Sequence, residues 1–360
     1  MNAGIARIRV LVVDDSAFMR RAIAKMLENE PNIVVAATAR SGEEAIEKTT
    51  QIRPDVITMD VEMPGMGGLE AVREICSQHR IPIIMVSALT QEGAETTFRA
   101  LELGAVDFVA KPDAAYDNIN DVARDLIAKV LTFAQRPMQA QPKRSLEVAR
   151  PKAPPRLRIV RRAGIDYECV AIGTSTGGPV ALSRLIPALP AEFPVPIVIV
   201  QHMPLGFTRP LSERLDAQSR IGVVEAAEGM PLEPGFAYVI PSGRQSTLER
   251  SHGQTVVRLL DDDGRSLHVP SVDVMAAAVA ERYGAQSIGV ILTGMGQDGV
   301  VGLRTLKAKG GYVIGQDEHS CVVYGMPRAA ERAGLVDRVL PLFEIPGALC
   351  DLTHTPFTES

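Results

Sequence analysis

Two α/β domains, each built on a parallel, doubly wound sheet, are what this sequence predicts, and three observations carry the prediction. The chain has 360 residues, more than one core usually serves at about 100–200 residues per domain. Short apolar runs of strand length alternate with stretches of helical apolar spacing, over residues 10–133 and again beyond residue 169. Between these stretches lies a proline-rich, strongly basic segment. Hydrophobic residues make up 46% and charged residues 22%, which supports two ordinary cores and excludes a mainly disordered chain.

The continuous apolar runs at residues 10–13, 33–38, 56–59, 83–86 and 106–109 have the length of strands buried on both faces. Between them, residues 17–28, 43–51, 69–77 and 92–103 place apolar side chains three and four apart, as a helix with one buried face requires. Residues 119–133 repeat that spacing after the last strand. Strict alternation of strand and helix implies crossovers, hence parallel pairing. The segment that follows, RPMQAQPKRSLEVARPKAPPRLRIVRRA, contains five prolines and nine Lys/Arg against one Glu. Proline breaks helices and like charges repel, so an extended linker is expected there. Strands resume at residues 169–172, 197–200 and 288–292, with helices between. The expected organisation is therefore 1–135, a linker at 136–163, and 164–360.

Charge is distributed unevenly. Residues 1–135 carry −6, the linker +8 and residues 164–360 −7. Both expected domains are acidic, which argues against a nucleic-acid-binding output, since phosphates need a basic face. No aromatic residue interleaves the linker's charges, so a nucleic-acid or acidic-membrane patch is the weaker reading of it. No apolar run approaches the ~18–20 residues of a membrane span. Residues 1–9 show no secretory pattern, and a cytoplasmic location is expected. Cys76, Cys169, Cys321 and Cys350 are scattered, without metal or disulfide spacing, so reduced thiols are expected.

Open α/β sheets bind ligands beyond the carboxyl ends of their strands. Asp14 and Asp15 follow the first strand, Asp60 ends the third, Ser87 ends the fourth, and Lys111 follows the fifth. Converging carboxylates repel unless a hard cation joins them, and Mg²⁺ suits oxygen ligands. A lysine and a hydroxyl at the same rim can bind phosphoryl oxygens, and an aspartate so placed can act as nucleophile. These residues stand in VVDDS, MDVEMPGMGGLE, SA and KP, and residues 7–130 resemble the response-regulator receiver family. The resemblance implies a flavodoxin-like domain with Asp60 as phosphoacceptor. It also implies Asp14, Asp15 and Asp60 as Mg²⁺ ligands, Ser87 as switch hydroxyl, Lys111 as phosphate partner, and a histidine kinase as donor. Gly67 departs from the family, standing where many members carry aspartate.

In the second domain, Gly173-Thr-Ser175-Thr-Gly177 fits G-x-S-x-G, in which a sharp turn after a strand lifts the serine oxygen. A phosphate-cradling or capping turn uses the same residue types. A nucleophilic serine needs a histidine base oriented by a carboxylate. His202 directly follows the next strand, and Asp298 follows a later one in a glycine-rich turn. His79, His252, His268, His319 and His354 fall in polar or terminal stretches and are expected to face solvent or cap. The chain order Ser–His–Asp differs from that of α/β-hydrolases.

IGTSTGGP, QHMP, LTGMGQDG and YGMPRAA make residues 165–350 resemble the chemotaxis protein-glutamate methylesterases, the CheB family. The resemblance implies a doubly wound parallel-sheet esterase domain. Ser175 would be nucleophile, His202 base and Asp298 its orienter, with backbone N–H groups near Thr176 and Met295 as oxyanion hole and no cofactor. The implied reaction is hydrolysis of glutamate methyl esters, and deamidation of glutamines, on chemoreceptors, switched on by phosphorylation. On the residues alone, a non-catalytic binding module and an esterase of small molecules remain open.

Overall fold

The chain, described by a computed structural model over residues 7–88, 90–111, 119–135 and 164–357, divides into two compact units, Met1–Lys152 and Ala153–Ser360. Each is described by itself. The linker expected at 136–163 lies outside the described residues.

The N-terminal unit runs β1 Ile8–Val13, α1 Ala17–Glu28, β2 Ile33–Ala39, α2 Gly42–Ile52, β3 Val56–Asp60, α3 Gly68–Gln78, β4 Ile83–Ser87, α4 Gln91–Leu103, β5 Asp107–Ala110 and α5 Ile119–Ala134. Its five strands are parallel in the order β2-β1-β3-β4-β5. That is a doubly wound sheet with its switch point between β1 and β3. Every residue of β3 and β4 is buried, as uninterrupted apolar runs demand. Helix starts are marked by Ser16, Ser41 and Thr90, whose hydroxyls accept N–H bonds from Met19, Glu44 and Gly93. Gly67 occupies the N-cap of α3 and provides no side-chain cap. Gly68 beside it is constrained by space. A Cβ there would lie 1.9 Å from the Asp60 carbonyl oxygen, so only glycine lets α3 begin against the end of β3.

The C-terminal unit runs β6 Cys169–Thr174, α6 Gly178–Leu185, β7 Ile197–Gln201, α7 Thr208–Gln218, β8 Gly222–Glu225, β9 Phe236–Val239, β10 Gln245–Ser251, β11 Gln254–Leu260, α8 Val272–Tyr283, β12 Ser287–Ile291, α9 Val300–Ala308, β13 Tyr312–Gln316, α10 Met326–Arg332, β14 Arg338–Leu340 and α11 Ile345–Leu352. Seven parallel strands form one sheet in the order β14-β13-β12-β6-β7-β9-β8. The chain moves outward from β6 in one direction, then returns to β12 on the other side, so β6 borders a switch point. The spacing argument predicts only β6, β7 and β12. The antiparallel ribbon of β10 and β11 is also absent from it; His252 and Gly253, at φ 48° and 86°, make the two-residue turn. Core packing joins α8 to the sheet through Val272, Met275 and Val279 with Ile291 and Val313. No helix among the described residues is long and apolar enough to cross a membrane.

Replacing Gly68 by alanine should destabilise the N-terminal unit by about 1–3 kcal/mol, because backbone must move to admit the methyl group. The check is denaturant unfolding of the full chain, in which that unit's transition shifts while the C-terminal unit's does not. An unchanged transition would contradict the packing argument.

Candidate functional site

Sheet register brings the serine and histidine together. Thr174 pairs with Gln201 across β6 and β7, so Ser175 and His202 are the next residues on adjacent strands. The His202 N–H donates to the Thr174 carbonyl at 3.1 Å. Gln201 secures both from beneath: its Nε2 donates to the carbonyls of Ser175 at 2.9 Å and His202 at 2.7 Å. On the other flank, Thr293 ties the segment beyond β12 to the serine turn. Its carbonyl accepts from the Ser175 N–H at 3.1 Å and Thr174 Oγ1 at 2.9 Å, and its own hydroxyl donates to the Thr176 carbonyl. Gly294 then passes so close that a Cβ would lie 2.8 Å from Ser175 Cβ. This puts Met295 and Thr176, the expected oxyanion donors, in the chain segments flanking the serine.

His202 and Asp298 meet directly, Nε2 to Oδ2 at 2.8 Å, with side chains 10% and 8% exposed. The other ring nitrogen, Nδ1, is buried with no hydrogen-bond partner among the described residues. Asp298 lies at the N-terminus of α8. Its carboxylate accepts from Ser271 Oγ at 2.9 Å and from the N–H groups of Val272 at 2.7 Å, Asp273 at 3.1 Å and Gly299 at 3.1 Å. Burial pushes its pKa up, but His202 and these amides outweigh that, holding the carboxyl well below the usual range. Asp298 is therefore a fixed anion whose outward bond goes to His202. Such an assembly suits nucleophilic acyl transfer: a half-buried serine at a strand end, a histidine at the end of the adjacent strand, and a charge to stabilise imidazolium.

One expectation is corrected. His268 neither faces solvent freely nor caps a helix; it is half-buried, with its ring stacked on His202 at 4.1 Å between centroids and 17° between planes. Ser271, Gln201, Gln245 and Thr293 were likewise not singled out by the sequence. Each works through a side-chain bond to a segment distant in the chain, and no local spacing signals that. The one hint was available in His268-Val-Pro-Ser271-Val-Asp273, where an N-cap serine opens a helix.

In the N-terminal unit the carboxylates also converge as expected. Asp14, Asp15 and Asp60 can present oxygens all within 4.8 Å of one another. Lys111 Nζ lies 2.7 Å from Asp60 Oδ2 and 3.4 Å from Asp14 Oδ2. Asp14 and Asp60 are fully buried, while Asp15 is exposed. Burial pushes Asp60 up to about 6 against the pull of Lys111, and raises Asp14 as well. One lysine does not balance three carboxylates, and all-oxygen donors at one rim fit a hard divalent cation. Ser87, fully buried, donates its hydroxyl to the Gly93 carbonyl at 3.1 Å, turned toward α4.

Comparison with known proteins agrees with both halves. Residues 170–349 match the family described as CheB methylesterase, and residues 10–122 the response regulator receiver domain. A protein-glutamate methylesterase/protein-glutamine glutaminase of Oleidesulfovibrio alaskensis is 41% identical, covering 96% of this chain and all of its own length. One from Halalkalibacterium halodurans is 44% identical over 94% of this chain and 96% of its own. The crystal structure of the Thermotoga maritima CheB methylesterase catalytic domain aligns with a TM-score of 0.51 at 44% identity, covering 52% of this chain and all of that one. The chain belongs to the CheB methylesterase family.

A pH dependence follows from the carboxylate cluster. A free aspartate titrates near ~3.9, whereas burial pushes Asp60 up to about 6 in the fold. Between these values the native state keeps a proton that the unfolded chain has released, so stability falls as pH rises from ~4 to ~6. In EDTA, Asp60→Asn should therefore become more stable relative to wild type across that window, by roughly 2–3 kcal/mol. Saturating Mg²⁺ at pH 7 should stabilise wild type more than the variant. Calorimetry of the N-terminal transition at several pH values is the check, and a pH-independent difference would count against a buried, strained carboxylate.

Proposed function

We propose that this member of the CheB family, a phosphorylation-regulated protein-glutamate methylesterase and protein-glutamine glutaminase, performs its hydrolysis with Ser175, His202 and Asp298. The observation that supports this best is the 2.8 Å bond from His202 to a carboxylate fixed on a helix N-terminus, one register step from a G-x-S-x-G serine. Its substrates are glutamate methyl esters and glutamines on chemoreceptors, in the cytoplasm, and it requires no cofactor for this step. The organisation is a receiver over 1–135, a linker over 136–163 and a catalytic domain over 164–360.

Ser175 Oγ attacks the side-chain carbonyl carbon while His202 takes its proton. Because Nε2 is engaged by Asp298, Nδ1 is the nitrogen that accepts it. The imidazolium so formed is stabilised by the Asp298 anion. Backbone N–H groups of Thr176 and Met295 receive the developing oxyanion. His202 then returns the proton to the leaving oxygen, releasing methanol, or to the leaving nitrogen, releasing ammonia. A water, deprotonated by the same nitrogen, hydrolyses the acyl-enzyme and leaves a glutamate carboxylate. One machinery serves both substrates, since ester and amide differ only in the leaving group.

Asp60 accepts the phosphoryl group from a histidine kinase. Asp14, Asp15 and Asp60 would hold Mg²⁺, which would supply the positive charge that phosphoryl transfer requires. Lys111 and Ser87 contact the phosphoryl oxygens once it is attached, which takes Ser87 away from Gly93 and toward Asp60 and so changes the packing of α4. Before phosphorylation the receiver restrains hydrolysis, and phosphorylation of Asp60 relieves that restraint.

Ser175→Ala and His202→Ala should each lower methanol release from a methylated receptor fragment by about 10⁴ or more, with Asp298→Asn losing somewhat less. Near wild-type turnover in Ser175→Ala would overturn the assignment. With a small phosphodonor and Mg²⁺, wild type should incorporate phosphate and gain activity, and Asp60→Asn should do neither. A chain beginning at Gly164 should release methanol faster than unphosphorylated full-length protein, and equal rates would show that the receiver does not inhibit.

A further inference from the structure

The stretch from His268 to Asp273 reaches the catalytic histidine in two ways at once. Its C-terminal part supplies the Val272 and Asp273 N–H groups and the Ser271 hydroxyl that fix Asp298. Its first residue lays an imidazole flat on the face of His202. The two ends are locked in one geometry by Gln245, which is buried. Gln245 Nε2 donates to the His268 carbonyl at 2.9 Å, and its Oε1 accepts from the Ser271 N–H at 2.9 Å. The Gly243 N–H adds a bond to the Val269 carbonyl at 3.0 Å.

A single hydrogen bond to Asp298 fixes where Nε2 sits but leaves the His202 ring able to tilt about that contact. Tilting would displace Nδ1, the nitrogen proposed above to accept the Ser175 proton. A stacked ring at 4.1 Å removes that freedom, because rotation out of plane would drive one ring into the other. We infer that His268 is a positioning residue for His202: its flat ring, rather than its ability to carry a proton, holds the base in the plane joining Asp298 to Ser175. The inference rests on the assignment of His202 as base. It adds a second constraint on the same ring, orthogonal to the one from Asp298.

The test compares His268→Ala with His268→Phe in full-length, phosphodonor-activated protein, with His202→Ala measured alongside. His268→Ala should lower kcat by about 10–100-fold, the scale of a small misplacement of a reacting group, with KM within about threefold of wild type. His268→Phe should restore kcat to within about fivefold of wild type, because a flat ring returns. Labelling of Ser175 by a small serine-directed phosphonate should follow the same order, which excludes loss of receptor binding as the cause. A His268→Phe variant as slow as His268→Ala, or a His268→Ala variant with wild-type kcat, would overturn the inference. Should His268→Ala fail to fold, the retained activity of His268→Phe decides alone. If His202→Ala itself kept wild-type activity, the failure would lie in the assignment of the base and not in the stack.

Discussion

The carboxylate of Asp298 is the fixed point of the catalytic half. Five donors converge on it, four of them from the turn that starts α8 and from the glycine beside it, the fifth from His202. Charge-assisted bonds of this kind are the strong ones, and here they join a helix to the ends of two strands on opposite sides of β6. The helix cannot shift without moving the anion, nor the anion without turning the histidine. Packing of α8 on the sheet is therefore also the alignment of His202, the proposed base.

The two units handle buried carboxylates in opposite senses. Asp298 is surrounded by fixed donors and stays ionised. Among the described residues Asp60 has Lys111 and a single backbone N–H, from Glu62 at 3.2 Å, and burial dominates, pushing it up to about 6. The first arrangement costs nothing further when charge develops on the histidine. The second leaves an excess of negative charge that a bound cation can relieve. A permanent anion suits a part that acts in every turnover, and an uncompensated one suits a part that reports whether a ligand has arrived.

Much of this was legible in the sequence because both sites sit at strand ends, and strand ends are where an apolar run stops. Asp60, Ser87, His202 and Asp298 all stand within a few residues of such a stop. All ten elements of the N-terminal unit follow from the alternation to within two residues. The C-terminal unit was harder. β8 has four residues and β14 three, with β14 mostly exposed, and neither shows a long apolar run or a period. β9, by contrast, lies in the apolar run 236–240, which the spacing argument passes over although it is as long as those read as strands. The ribbon of β10 and β11 interrupts the α/β rhythm entirely. His268, Gln201 and Gln245 were invisible for another reason. A polar residue bonded across the fold looks like one facing water until its partner is known.

The bonds that assemble the esterase site join parts of the chain made far apart: His202 to Asp298 spans 96 residues, and Thr174 to Thr293 spans 119. No local fragment contains the proposed nucleophile, base and orienting anion, Ser175, His202 and Asp298, together. Contacts of such separation are formed late, because loop closure must be achieved before they are rewarded. Hydrolytic competence in this protein is thus a property of the finished sheet. A chain still being synthesised, or one locally opened between β6 and β12, would hold a serine no more reactive than any other on a protein surface.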